Sequence, residues 1–214
     1  MENYKKCKVE NCENKVHYKS GQYEGFCNKH YIQLYRYGKI FKRTYRDKNE
    51  IIDRGDYYEI CLYQGRLEQK EVGKIKIDKE DLDKVKDYKW HLTDQGYAKA
   101  RINKRLIPIY HFILGYPPKG YEVDHRDTDP LNNRKYNLRF ATHRQNLRNR
   151  KAKGYWWDKS RKKWQVQITK DYKHISLGYF TDEQTAAKVA REARQKYFGE
   201  FAYKEPTNAE IKNN

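Results

Sequence analysis

Residues 121–149 read YEVDHRDTDPLNNRKYNLRFATHRQNLRN, an Asp-His pair followed by a spaced set of asparagines. If the residues up to Val123 form a strand that enters a turn, the adjacent side chains of Asp124 and His125 point in different directions. The carboxylate can then bind a hard divalent cation, while the imidazole faces a water molecule beside it. A neutral imidazole near pH 7 is a suitable general base for that water. The stretch is therefore more typical of a hydrolytic site than of a core.

The rest of the stretch alternates turn formers with ordered segments. Residues 129–133, DPLNN, favour a turn, and residues 137–140, NLRF, begin a second ordered segment. Thr142 is expected to cap a short helix, with Gln145 as its capping-box partner. Taken singly, these pieces are usually structural, because asparagine-rich turns commonly cap local structure. Their order and spacing favour a nuclease site, in which a strand, a loop and a helix gather Asp124, His125, Asn137 and Asn146 around one cation and one phosphate.

These residues resemble the HNH endonucleases, specifically the His-Asn-Asn form of phage and intron-encoded homing endonucleases with a ββα-metal fold. The resemblance implies that His125 is the general base and that Asp124 and Asn146 are metal ligands. It also implies that Asn137 holds the loop and the His-bearing strand in place, and that His143 contacts phosphate. Carboxylate and amide oxygens favour Mg²⁺ or Mn²⁺ over zinc at this position. The chain has Thr128-Asp129 where the family commonly has Gly-Asn, but this departure removes no catalytic group.

Composition indicates small domains and a polyanionic partner. The chain has 214 residues, 37% of them hydrophobic, and a mean hydropathy of -1.26, which is too polar for one large core. Its net charge is +18. Residues 141–174 contain eleven Lys or Arg and two Asp, so a net charge of +9 directly follows the proposed site. Double-stranded DNA is the expected partner.

Localisation and oligomeric state are predicted from what the chain lacks. No apolar run approaches the ~18 to 20 residues that span a bilayer. We therefore expect a soluble protein without a membrane partner, in the cytoplasm of a bacterial host cell. One nuclease motif without a coiled-coil pattern favours a monomer that nicks DNA.

Three cysteines and a histidine near the N-terminus have the spacing of zinc ligands. Cys7, Cys12, Cys27 and His30 form two short-spaced pairs joined by a longer loop, which predicts a Cys3His site. A structural Zn²⁺ would stabilise a module that is too small to build its own core. The alternatives are reduced free cysteines, or one disulfide and a spare thiol. His17 has the poorer spacing, and Cys61 is expected to be a buried small hydrophobe.

The chain between the two motifs alternates strands with short helices. Residues 57–62 and 72–77 predict a hairpin, and residues 78–87 predict a helix opened by Asp78. An apolar helix is predicted for residues 107–114, in which His111 is a packing histidine. After the cysteine module, a helix from Tyr31 is expected to stop at Gly38, followed by a basic segment.

The C-terminal part reads as a sheet and a helix. Residues 154–158, 163–169 and 173–179 predict three strands, and Thr181 is expected to cap a helix with Gln184 as its box partner. The apolar stripe of that helix would lie on the sheet. Alternation along the strands directs Trp164, Val166, Ile168, Ile175 and Leu177 toward the helix. It leaves exposed a polar set: Gln165, Gln167, Thr169, His174 and Ser176.

This region, from Gly154 to Ala202, resembles the APETALA2-type DNA-binding domains appended to phage HNH enzymes. The Lys-Trp opening of the second strand, the LGYF end of the third and the Ala-Ala helix carry the resemblance. It implies that the exposed sheet face lies in the major groove of DNA. The expected DNA-binding residues are Lys153, Trp156, Arg161, Gln165, Gln167, Thr169, His174 and Ser176. A small α+β packing module is the alternative.

Taken together, the sequence predicts a multidomain α+β protein: a zinc-binding module and basic linker (residues 1–48), a ββα-metal HNH nuclease (50–150) and a three-stranded sheet packed on one helix (153–204). The predicted activity is metal-dependent, site-specific cleavage of double-stranded DNA. A DNA-binding regulator without catalysis and an RNA-binding or RNA-processing protein remain open, since charge and aromatic residues suit both.

Overall fold

The computed structural model describes residues 5–10, 12–17 and 21–204. The chain is a mixed α/β protein with several small sheets, and it forms two compact units. One unit consists of the described residues up to Lys48 together with Tyr63–Val72, and the other of Asn49–Leu62 together with the described residues from Gly73 onward. The predicted three-part division remains a prediction; residues 1–4, 11 and 18–20 of its first part lie outside the described residues.

In the first unit, helix α1 (Asn28–Tyr37) follows the last of the three clustered cysteines. Its predicted stop is confirmed: Gly38 adopts a left-handed conformation with φ 66°, and its N–H donates to the Leu34 carbonyl at 2.9 Å. Glycine takes this conformation without the steric cost that a Cβ brings.

A first sheet has the order β1-β2-β3, from strands β1 (Ile51–Asp53), β2 (Tyr57–Gln64) and β3 (Lys70–Asp78). The predicted hairpin of β2 and β3 is confirmed. A 3₁₀ turn (Lys79–Asp81) and the short helix α2 (Leu82–Val85) follow β3. Asp78 caps neither with its side chain, because its carboxylate instead binds Arg134 and Lys135 in the loop of the proposed site.

A second sheet has the order β4-β5-β6 and precedes a short helix. Its strands are β4 (Trp90–Leu92), β5 (Ala98–Ile102) and β6 (Arg105–Pro108), and helix α3 is limited to Tyr110–Ile113. The prediction of a helix over residues 107–114 is thus wrong in its first half. Asn103 and Lys104, with φ of 47° and 66°, form a two-residue turn that folds Ile107 and Pro108 back onto β5.

The central segment forms a ββα unit. Strands β7 (Tyr121–His125) and β8 (Leu138–Thr142) pair in antiparallel register, and helix α4 (His143–Arg148) follows β8 directly. The predicted capping box is confirmed, because Thr142 and Gln145 exchange both hydrogen bonds of the motif. Leu138 anchors this unit in a buried core formed mainly by the first two sheets and α3: Ile60, Leu62, Ile75, Ile77, Val85, Trp90, Ala98, Ala100, Ile109 and Ile113.

The C-terminal segment, called here the C-terminal module (residues 153–204), forms a sheet of order β11-β10-β9 covered by one long helix. The strands are β9 (Tyr155–Asp158), β10 (Lys163–Lys170) and β11 (Lys173–Phe180), followed by α5 (Glu183–Phe198) and a 3₁₀ turn (Gly199–Phe201). Ala186 and Ala190 pack on Val166. The helix cap is Asp182, not Thr181, since its carboxylate accepts the Thr185 N–H at 2.7 Å.

In the described ranges, no helix combines the length and the apolar character that crossing a bilayer requires.

Candidate active site

Strand β7 ends in two buried polar residues. Asp124 lies opposite Arg139 in the register of β7 and β8, and His125 lies opposite Leu138. Successive side chains of a strand point to opposite faces, so the carboxylate and the imidazole enter different surroundings. Only 4% of Asp124 and 6% of His125 is exposed. Buried polar groups of this kind are held by hydrogen bonds, which fix their orientation.

Asn133 orients the imidazole of His125. The Nε2 atom of His125 lies 3.3 Å from Oδ1 of Asn133, whose Nδ2 donates to the Pro130 carbonyl at 3.1 Å. This amide orientation presents an acceptor to the imidazole, so Nε2 carries the proton and Nδ1 is left as the basic nitrogen. Burial lowers the pKa of His125, and the bond to Asn133 and the charge of Asp127 offset part of that effect. A neutral imidazole with one defined basic nitrogen suits proton abstraction.

Two side chains fix the carboxylate of Asp124. Nε and Nη2 of Arg139 both donate to Oδ2, each at 2.7 Å. Nδ2 of Asn149 donates to Oδ1 at 3.0 Å and to the His125 carbonyl at 2.7 Å. Neither Arg139 nor Asn149 was predicted as a site residue. Arg139 could have been noticed as a charge opposite Asp124 if the two strands had been aligned in the sequence. Asn149 lies past the end of helix α4, where no sequence periodicity indicates which group it contacts.

Asn137 ties together the loop between β7 and β8. Its Nδ2 donates to Oδ1 of Asp127 at 2.8 Å and to the Asn132 carbonyl at 2.7 Å, and its Oδ1 accepts the Asp127 N–H at 3.0 Å. The residue is 1% exposed. The predicted role of holding the loop is compatible with these contacts and remains a prediction.

The same loop is attached to strand β3. The Asn133 N–H donates to the Lys76 carbonyl at 2.8 Å, and the Lys76 N–H donates to the Leu131 carbonyl at 2.9 Å. At the end of β3, the Asp78 carboxylate accepts from Arg134 Nε at 2.8 Å and from the Lys135 N–H at 2.7 Å. The residue that orients His125 is therefore held from outside the ββα unit.

Helix α4 places the remaining predicted residues less deeply. His143 is exposed and its Nδ1 lies 3.1 Å from Oε1 of Glu122, which leaves it accessible to a ligand. Asn146 is half-buried, and within the described residues it is Asn149, one turn later, that bonds to Asp124. The structure thus places Asp124 and His125 at the end of β7, Asn137 at the end of the loop that follows, and Asn146 on helix α4.

The donor set around Asp124 fits a hard divalent cation. Its Oδ1 accepts a single hydrogen bond, from Asn149, and a carboxylate oxygen has a second lone pair. Oδ1 of Asn149 is buried and has no hydrogen-bond partner among the described residues. Buried oxygens without a partner are costly unless a water or an ion completes them. Carboxylate and amide oxygens are the ligands that Mg²⁺ and Mn²⁺ accept.

In the first unit, the predicted zinc ligands converge. The ligand atoms of Cys7, Cys12, Cys27 and His30 all lie within 4.8 Å of one another. The Cys7 sulfur is 3.2 Å from His30 Nδ1, and the sulfurs of Cys12 and Cys27 are 4.0 Å apart. Three sulfurs and one nitrogen at these separations suit a tetrahedral zinc with bonds of ~2.0 to 2.3 Å.

The C-terminal module presents the predicted DNA-binding residues in two groups. Thr169, His174 and Ser176 are exposed, and Thr169 Oγ1 lies 2.9 Å from His174 Nδ1. Gln165 and Gln167 are half-buried. A bulge between Val166 and Gln167 disturbs the pairing with β11, and Gln167 lines a cavity of about 460 Å³ shared with α4 and α5.

The other three predicted DNA-binding residues surround this sheet and are exposed. Trp156 is 45% exposed on β9. Arg161 pairs with Asp158 at 2.9 Å and covers the ring of Tyr179, while Lys153 Nζ is 3.8 Å from Glu183. Exposed ion pairs are weak, so both cations remain available to another anion.

Comparison with known proteins places the ββα unit among nucleases. A family model described as HNH endonuclease matches residues 107–148, the segment that contains Asp124, His125, Asn137 and Asn146. Protein 3.8 of Escherichia phage T7 is 32% identical over 107 residues, which cover 46% of this chain and 88% of that protein. An uncharacterized HNH endonuclease of Acanthamoeba polyphaga mimivirus is 30% identical over 128 residues, covering 55% of this chain and 67% of the relative. No solved structure matches.

Proposed function

The chain belongs to the HNH endonuclease family, and from this premise we propose that it is a metal-dependent endonuclease that hydrolyses phosphodiester bonds of double-stranded DNA at a specific site. The observation that supports the proposal best is the pair at the end of β7. His125 is buried with its Nε2 directed at Asn133, and the adjacent Asp124 is a fixed carboxylate. A binding protein needs neither feature.

In the proposed reaction, Nδ1 of His125 takes a proton from a water molecule, and the resulting hydroxide attacks the phosphorus in line with the leaving oxygen. The bond from phosphorus to the 3' oxygen breaks, which leaves a 5' phosphate on one product. Asn133 keeps the basic nitrogen in place during proton transfer. Proton abstraction by a general base contributes a factor of about 10² to 10⁴ in rate. Correct positioning of the base adds further orders of magnitude.

As the family resemblance implies, Asp124 and Asn146 would hold a Mg²⁺ or Mn²⁺ ion, and Oδ1 of Asn149, which has no partner among the described residues, would be a further oxygen for it. When bound, the ion stabilises the charge that develops on the leaving 3' oxygen. In this proposal Asn137 keeps the catalytic loop folded around His125. His143, exposed at the start of α4, contacts a phosphate of the DNA. Glu122 holds the His143 ring until that contact replaces it.

We also propose that the N-terminal cluster binds a structural Zn²⁺ through Cys7, Cys12, Cys27 and His30. Support comes from the four convergent ligand atoms and from the small size of the module around them. Metal analysis of purified protein should give about one zinc per chain. Cys27→Ser should lose it, whereas Cys61→Ser, at a buried position outside the cluster, should keep it.

The C-terminal module is proposed to read DNA as an APETALA2-like domain, with the exposed face of β9, β10 and β11 in the major groove. Its three antiparallel strands, its covering helix and its exposed Thr169, His174 and Trp156 support this role. We further propose that the protein acts as a monomer that nicks DNA in the cytoplasm of a bacterial host cell. The phage T7 relative supports that setting.

Incubation of the zinc-loaded full-length protein with supercoiled plasmid, with or without added Mg²⁺, tests the central proposal. Wild-type protein should relax or linearise the plasmid only with the metal, and His125→Ala should slow cleavage by about 1,000-fold. Binding of DNA without metal should be unchanged in that variant. His91→Ala, an exposed histidine on β4, is the matched control and should cut normally. A His125→Ala protein that cuts at the wild-type rate contradicts the assignment, and a wild type that binds but never cuts supports a regulator.

A further inference from the structure

Arg139 joins the proposed catalytic carboxylate to the C-terminal module. On one side, two of its nitrogens donate to Asp124 Oδ2. On the other side, Nη1 donates to the Glu200 carbonyl at 2.6 Å, and the guanidinium lies over the ring of Phe201 with its carbon 4.1 Å from the centroid. Arg139 is only 7% exposed, so protein groups supply almost all of its surroundings. Glu200 and Phe201 belong to the 3₁₀ turn that follows α5.

Other contacts hold this turn and its helix against the ββα unit. The guanidinium of Arg194 on α5 donates to the carbonyls of Arg148, Arg150 and Ala152, at 3.0, 2.8 and 3.2 Å. These carbonyls belong to the end of α4 and to the connection that leads into β9. Burial lowers the pKa of Arg194, but at neutral pH the guanidinium remains charged. The connection between α4 and β9 is therefore hydrogen-bonded to helix α5 of the module that it leads into.

A planar guanidinium gives these contacts a geometric consequence. Its donors lie in one rigid plane, so the groups that it binds on one edge fix where its other edge points. The Glu200 carbonyl and the Phe201 ring fix the plane of Arg139, and Arg139 in turn fixes Oδ2 of Asp124. A catalytic group that is misplaced by ~1 Å can lose about 100-fold in rate.

We propose that Arg139 is a positioning residue through which the 3₁₀ turn Gly199–Phe201 sets the orientation of Asp124, so that the C-terminal module is a structural part of the active site as well as a reader of DNA. The inference rests on the proposed nuclease function for its effect on cleavage. It goes beyond that function because it assigns the 3₁₀ turn that follows α5 a role in the hydrolytic step. No residue of that turn contacts the scissile bond in this scheme.

Three variants of the full-length protein separate the contribution of the Phe201 ring from that of the Glu200 charge. Phe201→Ala removes the ring under Arg139, and Phe201→Tyr keeps it. Glu200→Gln is the matched control, because Arg139 bonds the backbone carbonyl of Glu200. Among the described residues, the Glu200 side chain pairs with Arg126 at 3.5 Å, and this pair is exposed.

The measurements are the single-turnover cleavage rate of a preformed complex with plasmid DNA, started by Mg²⁺, and the affinity for DNA without metal. A third measurement is calorimetric titration of the zinc-loaded, DNA-free protein with Mn²⁺. We expect Phe201→Ala to cut at least 10-fold more slowly and to bind Mn²⁺ at least 3-fold more weakly, with DNA affinity changed less than 2-fold. Phe201→Tyr and Glu200→Gln should stay within 2-fold of wild type in all three measurements.

A Phe201→Ala protein with wild-type cleavage rate and wild-type Mn²⁺ affinity overturns the proposal. So does a loss of the same size in Glu200→Gln, which would indicate a general effect of the turn. If Phe201→Ala fails to fold by circular dichroism, Arg139→Lys decides the matter, since an ammonium keeps the charge beside Asp124 but lacks the planar fork. Arg139→Lys at the wild-type rate and Mn²⁺ affinity also overturns it. A wild type that never cuts refutes the nuclease proposal alone, because Mn²⁺ affinity still tests the link to Asp124.

Discussion

The loop between β7 and β8 and the sheet of the C-terminal module both carry uncharged polar side chains, but the two regions differ in how far these side chains are buried. In the loop, Asn133 and Asn137 are buried and bonded to other groups of the protein. On the sheet, Thr169 and Ser176 are exposed. The difference is that polar side chains of the loop hold one another in a fixed geometry inside the protein, whereas those of the sheet are open to solvent even where Thr169 and His174 contact each other. Changes in the loop should therefore affect rate and stability, and changes on the sheet should affect affinity.

Among the variants that compare these two regions, the largest effect is expected for Asn137→Ala. Three hydrogen bonds, two to Asp127 and one to the buried Asn132, would be lost, which lowers the free energy of unfolding by about 3 kcal/mol. Cleavage by the protein that remains folded should fall by about 100-fold, because the loop no longer holds its shape. Chemical denaturation and plasmid cleavage measure the two effects. Lys135→Ala is the control, because it removes a pair with the exposed Glu80 and a 3.5 Å pair with Asp81, which keeps Lys84 at 2.6 Å. Equal stability of the two variants would contradict the claim that the buried hydrogen bonds of Asn137 stabilise the loop.

Asn133→Ala should be the next most damaging change to catalysis. It removes the acceptor at Nε2 of His125, so the imidazole loses its fixed orientation, and single-turnover cleavage should slow by about 30-fold. DNA affinity in the absence of metal should be unchanged. Asn133→Asp keeps an oxygen near Nε2 and should recover part of the rate. A wild-type rate in Asn133→Ala would show that another group orients His125.

On the sheet, Gln165→Ala together with Gln167→Ala should weaken specific binding without slowing the bound complex. A glutamine that bonds an adenine contributes about 1 to 3 kcal/mol of discrimination, so affinity for a sequence selected from a random library should fall by about 10-fold or more. Affinity for unrelated DNA should stay the same. A slower single-turnover rate at saturating DNA would show that these residues affect the cleavage step. It would contradict the claim that the sheet affects affinity alone.

The smallest effect is expected for Lys153→Ala. One exposed cation beside Glu183 would be lost, which should weaken DNA binding by about 3-fold at physiological salt and lower the slope of log affinity against log salt by about 1. Lys153→Arg is the matched control and should retain the slope. Binding that is equally salt-dependent in Lys153→Ala would remove this residue from the DNA-binding surface.

Local signals in the sequence predicted the elements around the site well. The ββα order, the capping box of Thr142 and Gln145, and the stop at Gly38 each depend on residues within a few positions of one another. The Cys3His set was also predicted, because metal-ligand spacing is a local pattern. The prediction of a helix over residues 107–114 was wrong in its first half, because a tight turn at Asn103 and Lys104 folds the residues that follow into a strand despite their apolar periodicity.

The partners inside the site were not predicted, for a different physical reason. Arg139 bonds a carbonyl 61 positions away, and Asn149 bonds Asp124 from beyond the end of α4. No periodicity relates such positions, because each contact exists only after separate elements pack. The sequence therefore singled out Asp124 and His125, which lie together at the end of β7, but not Arg139 and Asn149, which bond to Asp124.

The bonds from Arg194 to the linker carbonyls also affect where a cut would fall. A flexible connection of several residues would let the ββα unit reach phosphodiesters at varying distances from the bases that the C-terminal module binds, whereas residues 148–152 are held by hydrogen bonds. Under the proposed function, cleavage therefore falls at a constant number of base pairs from the bases that are read. Arg194→Ala would loosen the connection and give DNA ends at several positions in place of one.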